Sequence, residues 1–156
     1  MATEAEKVTL VSHEELIYRA VRDTPDHHGC DEQGKLLRLG TSAFNDPEKK
    51  PSVDRATLQA GGPASSRKVS SDGVVTLRAA EVRGVSSAVT NNSKGKALHV
   101  HAVDVMHVPE PTNYSHAQIE SEPSIASDGA WKKLKEALCG IAMVRGWSAR
   151  PQSSRS

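Results

Sequence analysis

The stretch "DGAWKKLKEALCGIAMVRG", residues 128–146, decides the fold. Trp131, Leu134, Leu138 and Ile141 recur at i, i+3, i+7 and i+10, a spacing that gathers them on one face of a helix. Asp128 stands at the cap position and Gly146 where a helix stops. A helix with one apolar face needs a flat surface to cover, so the rest of the chain should supply a sheet.

The strands follow from that requirement. "ALHVHAVDVMHV" (97–108) is rich in valine and bounded by a Lys/Gly loop and Pro109, and reads as the central strand. "NYSHAQIE" (113–120) alternates and makes its partner. A helical turn signalled by Ser12 and Glu15 feeds a strand at 17–21, and "LLRLGTSAF" (36–44) is a second extended segment closed by Asn45, Asp46 and Pro47. "PSVDRATLQAGG" (51–62) places Ser52 ahead of Val53, Ala56, Leu58 and Ala60 and reads as a short helix. "VVTLRAAEVRG" (74–84) reads as a strand of two or three residues, then a helix capped by Thr76 and ended by Gly84. The expected fold is α+β and loop-rich: a small mixed or antiparallel sheet covered by a C-terminal amphipathic helix.

The domain organisation comes from composition. Two Gly/Ser/Pro-rich breakers predict flexible loops near 61–73 and 86–97 inside one domain over 12–146. Residues 1–11 are expected to be a flexible N-terminus, and "WSARPQSSRS" (147–156) a disordered basic tail. Leu, Ile, Val and Phe together are about 19% of the chain and aromatics 3%, so the core is thin and built from Val, Ala and Leu.

Charge rules down several partners. Twenty basic against nineteen acidic residues leave a net charge of +1, with no field to draw the chain onto nucleic acid or an anionic membrane. No apolar run approaches the ~20 residues of a membrane span, and the acidic N-terminal stretch has no signal-peptide core, so the expected location is cytoplasmic. Cys30 and Cys139 have no framework spacing and read as free thiols.

Four constellations are candidates for chemistry. On a strand, His99, His101, Val103, Val105 and His107 share a face, so His99 and His101 could ligate one metal with His116 as third ligand. The competing expectation, and the one adopted, is no metal and a strand whose histidine face is its wetter side. "PDHHGC" gathers His27, His28 and Cys30 in what reads as a solvated loop. Ser42, His116 and Asp54 can be written as a triad, but no GxSxG elbow surrounds Ser42, and "GKALHV" lacks the glycines and Ser/Thr of a phosphate loop. Arg19, on an apolar strand, must find an anion: Asp54 within the fold, the preferred partner, or a ligand phosphate near Ser42 and His116. Arg19, Ser42, Asp54 and His116 are therefore the candidate ligand pocket.

"LIYRAV", "GTSAFNDP" with "PSVDRA", and "VPEPTNYSHAQI", in this order, resemble a group of short bacterial proteins. In that group a Leu-Tyr-Arg start, a Ser-Ala-Ala-Phe segment followed by Ser-Val-Asp, and an Asn-x-x-His-Ala segment recur. The matching positions are Tyr18, Arg19, Ser42, Ala43, Phe44, Ser52, Val53, Asp54, Asn113, His116 and Ala117; Ile17 and Thr41 depart from the pattern. The resemblance implies a bacterial origin and a common α+β domain, and no activity. A fainter likeness, through Arg19 and Ser42, is to ADP-ribosyltransferase-like folds, and implies a nicotinamide dinucleotide on the arginine. The catalytic glutamate of those folds has no counterpart here, because Glu120 and Glu122 are expected in an acidic loop after the strand. The functional expectation is a small accessory protein that binds another protein and carries no cofactor. The alternative is an enzyme or sensor of NAD or another nucleotide using Arg19, Ser42 and His116.

Overall fold

Leu16–Val21 forms β1 and lies between two antiparallel neighbours, Ser52–Arg55 (β4) and Gly73–Arg78 (β5). His116–Glu122 (β9) pairs with β4, Ala102–His107 (β8) pairs with β9, and Trp147–Ala149 (β10) pairs with β5. The result is a six-stranded sheet in the order β10-β5-β1-β4-β9-β8. Two small hairpins stand apart, His28–Cys30 (β2) with Leu36–Leu39 (β3), and Thr90–Asn91 (β6) with His99–Val100 (β7). This is a computed structural model, and it describes residues 10–88, 90–91 and 99–151.

The expected α+β class holds, with an antiparallel sheet under a C-terminal helix. Among the described residues there are two α-helices, Ala79–Gly84 (α1) and the C-terminal Asp128–Arg145 (α2). α2 buries Ala130, Trp131, Leu134, Leu138, Cys139 and Ala142 in the core that also holds Ile17, Val21, Val75, Leu77 and Ile119 of one sheet face, packing on β5, β3 and the turn Thr41–Phe44. Each such aliphatic side chain contributes about 1.5–3 kcal/mol by leaving water. Ser127 rather than Asp128 caps α2, accepting a hydrogen bond from the Ala130 N–H at 3.1 Å. Gly146 ends it at φ +69, a left-handed conformation that costs a glycine little.

Four expectations are corrected. Residues 52–55 form a strand, not the start of a helix: β-branched Val53 sits between two paired neighbours, and only Ala56–Leu58 makes a 3-10 turn. Such tertiary pairing outweighs a weak helical pattern. β5 runs six residues, so Thr76 lies mid-strand, and Arg78 caps α1, its N–H donating to Glu81 Oε1 at 3.0 Å. β8 is an edge strand rather than the central one. Residues 147–149, expected in a disordered tail, form β10, so the sheet extends past the expected boundary at Gly146. Residues 1–9 and 152–156, and most of the expected loop at 86–97, lie outside the described residues.

The outer edge of β8 is closed by side chains. Ser86 Oγ accepts the Val103 N–H at 2.8 Å, and Asp104 Oδ1 accepts the Val105 N–H at 2.7 Å while also receiving Arg83 Nε at 2.6 Å. Open strand N–H groups invite pairing with another chain, and these two are already occupied.

Candidate functional site

The sheet face opposite α2 is polar by register. Thr76 faces Tyr18, Tyr18 faces Asp54, and Asp54 faces His116, a row that crosses β5, β1, β4 and β9. Directly paired residues project to the same side, so an apolar core face leaves these four on the other. Tyr18, Asp54 and His116 of this row line a cavity of about 920 Å³, and Ser42 and Arg19 line it too, although Arg19 is paired with Val75 of the core face.

Arg19 does not pair with Asp54. Its Nε donates to the Ala43 carbonyl at 3.0 Å, Nη1 to the Ser52 carbonyl at 2.8 Å and Nη2 to the Asn45 carbonyl at 3.1 Å. Three of its five N–H groups are thereby used, and the cation packs over the Phe44 ring at 5.7 Å. Burial pushes the guanidinium down to about 10, against the opposing pull of Asp46, and it remains charged at neutral pH. Among the described residues no carboxylate lies within ion-pairing distance of it.

Asp54 is instead held by neutral donors: Asn113 Nδ2 at 2.7 Å, Gln59 Nε2 at 3.2 Å and the Ser115 hydroxyl at 3.4 Å. Asp72, also in the cavity wall, caps a turn by accepting the main-chain N–H groups of Lys68 and Val69 at 2.9 and 3.3 Å. The cavity's buried carboxylates thus already have donors of their own. Arg22 and Lys68, which line it too, form no ion pair within 4 Å among the described residues. His27, on the same wall, has a buried Nδ1 with no hydrogen-bond partner among the described residues. Burial holds its imidazole below the usual range, Asp26 opposing, so it is neutral at pH 7.

His116 is 4% exposed, and both of its nitrogens are engaged. Nδ1 lies 2.7 Å from the Val108 carbonyl, which can only accept, so this nitrogen carries the proton of the neutral ring. Nε2, left with its lone pair, lies 3.1 Å from Ser52 Oγ, and Glu110 Oε1 is 3.8 Å from the same nitrogen. The hydroxyl beside His116 is therefore that of Ser52, not Ser42. Ser42 sits in the 3-10 turn Thr41–Phe44 on the cavity wall.

The histidine expectations change. Val103 and Val105 are buried with His101, while Ala102, Asp104 and Met106 on the other face are exposed, so the histidine side is the drier one. His101 is 2% exposed and its Nδ1 bonds to the Pro123 carbonyl at 2.7 Å, not solvated as expected. The side chain of His99 lies outside the described residues. Among those described, no group of three or more His, Cys, Asp or Glu is arranged to hold a metal. "PDHHGC" is not a solvated loop, because His28 is 1% exposed in β2. Its Nε2 meets Asp23 at 3.0 Å, its Nδ1 lies 3.5 Å from Cys30 Sγ, and Trp147 stands edge-on to its ring. Cys30 and Cys139 are free thiols, as read from their spacing. Glu120 and Glu122 lie within β9 rather than in a loop.

Sequence reasoning did not single out Glu110 or Lys68, and it left His27 in a solvated loop. Ser52 was legible as a helix start and as a position of the resemblance, but its place beside His116 depends on β4 pairing with β9, which no local pattern displays. No helix among the described residues is long and apolar enough to cross a membrane. Comparison with protein-family models, curated proteins and solved structures finds no match to this chain.

Proposed function

We propose that the protein binds a small phosphate-bearing molecule, of the nucleotide class, in the 920 Å³ cavity. The observation that carries this reading is Arg19: a half-buried cation among the residues lining the cavity, fixed by three carbonyls and, among the described residues, without a carboxylate in ion-pairing distance. A buried cation without a counter-ion is costly, and an anionic ligand removes that cost with the fork geometry that suits phosphate. Arg22 and Lys68 add positive charge from the cavity wall, whereas Asp54 and Asp72 are committed to protein donors. The volume lies within the ~300–1,000 Å³ of small-molecule sites.

Action through another protein draws less support. Two N–H groups at the edge of β8 are occupied, and the exposed apolar side chains Leu10, Leu37, Val69, Met106, Tyr114 and Val144 belong to different segments. A thermal-unfolding screen with NAD, ADP-ribose, ATP and inorganic phosphate tests the proposal. Stabilisation by one of these ligands is expected, reaching about 2.7 kcal/mol at a hundred times its Kd. The double substitution Arg22→Gln/Lys68→Gln should weaken that response while leaving the free protein's melting temperature unchanged. No response to any of the four at millimolar concentration would overturn it.

A further inference from the structure

The pair Ser52–His116 has the parts of an activated nucleophile, inside the cavity that Arg19 supplies with positive charge. The tautomer is fixed by geometry: Nδ1–H donates to the Val108 carbonyl, leaving the Nε2 lone pair toward the Ser52 hydroxyl at 3.1 Å. A base oriented by a third group and hydrogen-bonded to a hydroxyl is the arrangement that makes a serine attack. When the ring takes a proton it becomes an imidazolium, and Glu110 Oε1 at 3.8 Å from Nε2 stabilises that charge. Ser52, Glu110 and His116 all line the cavity, so a substrate has room beside the hydroxyl. Arg19 Nη1 is bonded to the main-chain carbonyl of Ser52, and both residues are among those lining the cavity.

We infer that Ser52 is a nucleophile toward phosphorus, and that the protein cleaves a phosphate ester or anhydride whose phosphoryl group is held by Arg19. This rests on the phosphate-binding reading above. In the first step Ser52 Oγ bonds to phosphorus and the bond to the leaving oxygen breaks. The hydroxyl proton moves to His116 Nε2 and from there to the leaving oxygen. In the second step water attacks the phosphoserine, gives its proton to His116, and the phosphorus–Oγ bond breaks as Ser52 is reprotonated. No oxidant, reductant or other reactant is consumed. Phosphoryl transfer of this kind asks the protein mainly for positioning and charge, which Arg19 and His116 provide. A purely structural role would make Ser52 no more than a hydrogen-bond partner for a buried imidazole, and would leave its hydroxyl inert.

Di-isopropyl fluorophosphate separates the two roles, because a serine displaces fluoride from its phosphorus by the same step and needs no knowledge of the natural substrate. The full chain should gain one adduct, mapped to Ser52 by peptide mass spectrometry. Ser52→Ala should take up none while unfolding cooperatively. Bis(p-nitrophenyl) phosphate should be cleaved at least a hundredfold faster by the wild type than by Ser52→Ala. An unlabelled Ser52 in a folded wild-type chain would overturn the inference. If nucleotides still raised the melting temperature of that chain, the binding reading would stand alone; if they did not, both would fall.

Discussion

Arg55 and Glu15, forty residues apart in the chain, meet through two hydrogen bonds, Nε to Oε2 at 2.9 Å and Nη2 to Oε1 at 2.8 Å. Both side chains are almost without solvent, at 4% and 3% exposure. The Thr57 hydroxyl adds a third bond to the carboxylate at 2.6 Å. Glu15→Ala leaves a buried cation short of its main partner, and should cost about 3–5 kcal/mol in urea unfolding. Replacing both residues by apolar ones of similar volume should cost much less, which a double-mutant cycle reads directly.

The same pair sets an acid limit. Burial alone pushes the Glu15 carboxyl up, but the Arg55 and Thr57 hydrogen bonds and the charge of Arg55 outweigh it and hold the group below its ordinary value. A carboxyl lowered in the folded state contributes stability that is complete above its unfolded value of about 4.3, and is lost as pH falls through the folded value. The urea midpoint should therefore drop on acidification below about pH 4.3. Glu15→Gln should flatten that part of the curve.

The three carbonyls on Arg19 come from Ala43, Asn45 and Ser52, so the side chain ties the turn after β3 to the start of β4. Arg19→Met should destabilise the free protein by at least about 1.5–3 kcal/mol, the worth of a hydrogen bond to a charged group. Coupling between Arg19→Met and Asp54→Asn should stay below about 0.5 kcal/mol, since the two make no ion pair. A larger coupling would restore Asp54 as the partner.

How far these contacts were legible depends on their range. The face of Trp131, Leu134 and Leu138 repeats within one helix, so local spacing was enough to place α2 over a sheet. Arg19, Ser42, Asp54 and His116 could be gathered as candidates because each interrupts or borders an apolar run, and they do share a cavity wall. Their bonds could not be read. Arg19 is held in place by main-chain carbonyls, which every residue carries and no sequence marks. Residues 52–55 and 147–149 took the wrong state for a common reason: short strands owe their existence to paired neighbours, here β1 and β9 for the first and β5 for the second. The valine-rich 102–107 looked central because its buried face is so apolar, yet an edge strand needs the same face.

Trp147 packs on the bare backbone of Gly73. A Cβ placed there would lie 2.3 Å from the indole ring. Gly73→Ala should cost about 1–3 kcal/mol through forced displacement of that ring. Ending the chain at Gly146 should lower the melting temperature by several degrees, because β10 and its indole are lost together. An unchanged melting curve for the shortened chain would show that β10 adds nothing to the sheet.

Ser86 and Asp104 guard the far edge. Removing both acceptors, as Ser86→Ala with Asp104→Ala, should leave the Val103 and Val105 N–H groups open and raise self-association, measured by sedimentation at increasing concentration. A variant that stays monomeric would mean that other features keep this edge closed.

β10 pairs with a strand made some seventy residues earlier, and this sets an order of events during synthesis. β5 can dock on β1 as soon as both have emerged from the ribosome, but its other side stays bare until residues 147–149 follow. A chain stalled just short of that point therefore displays an unsealed strand. Of the six strands, the last to be made is thus the one that seals the free side of β5.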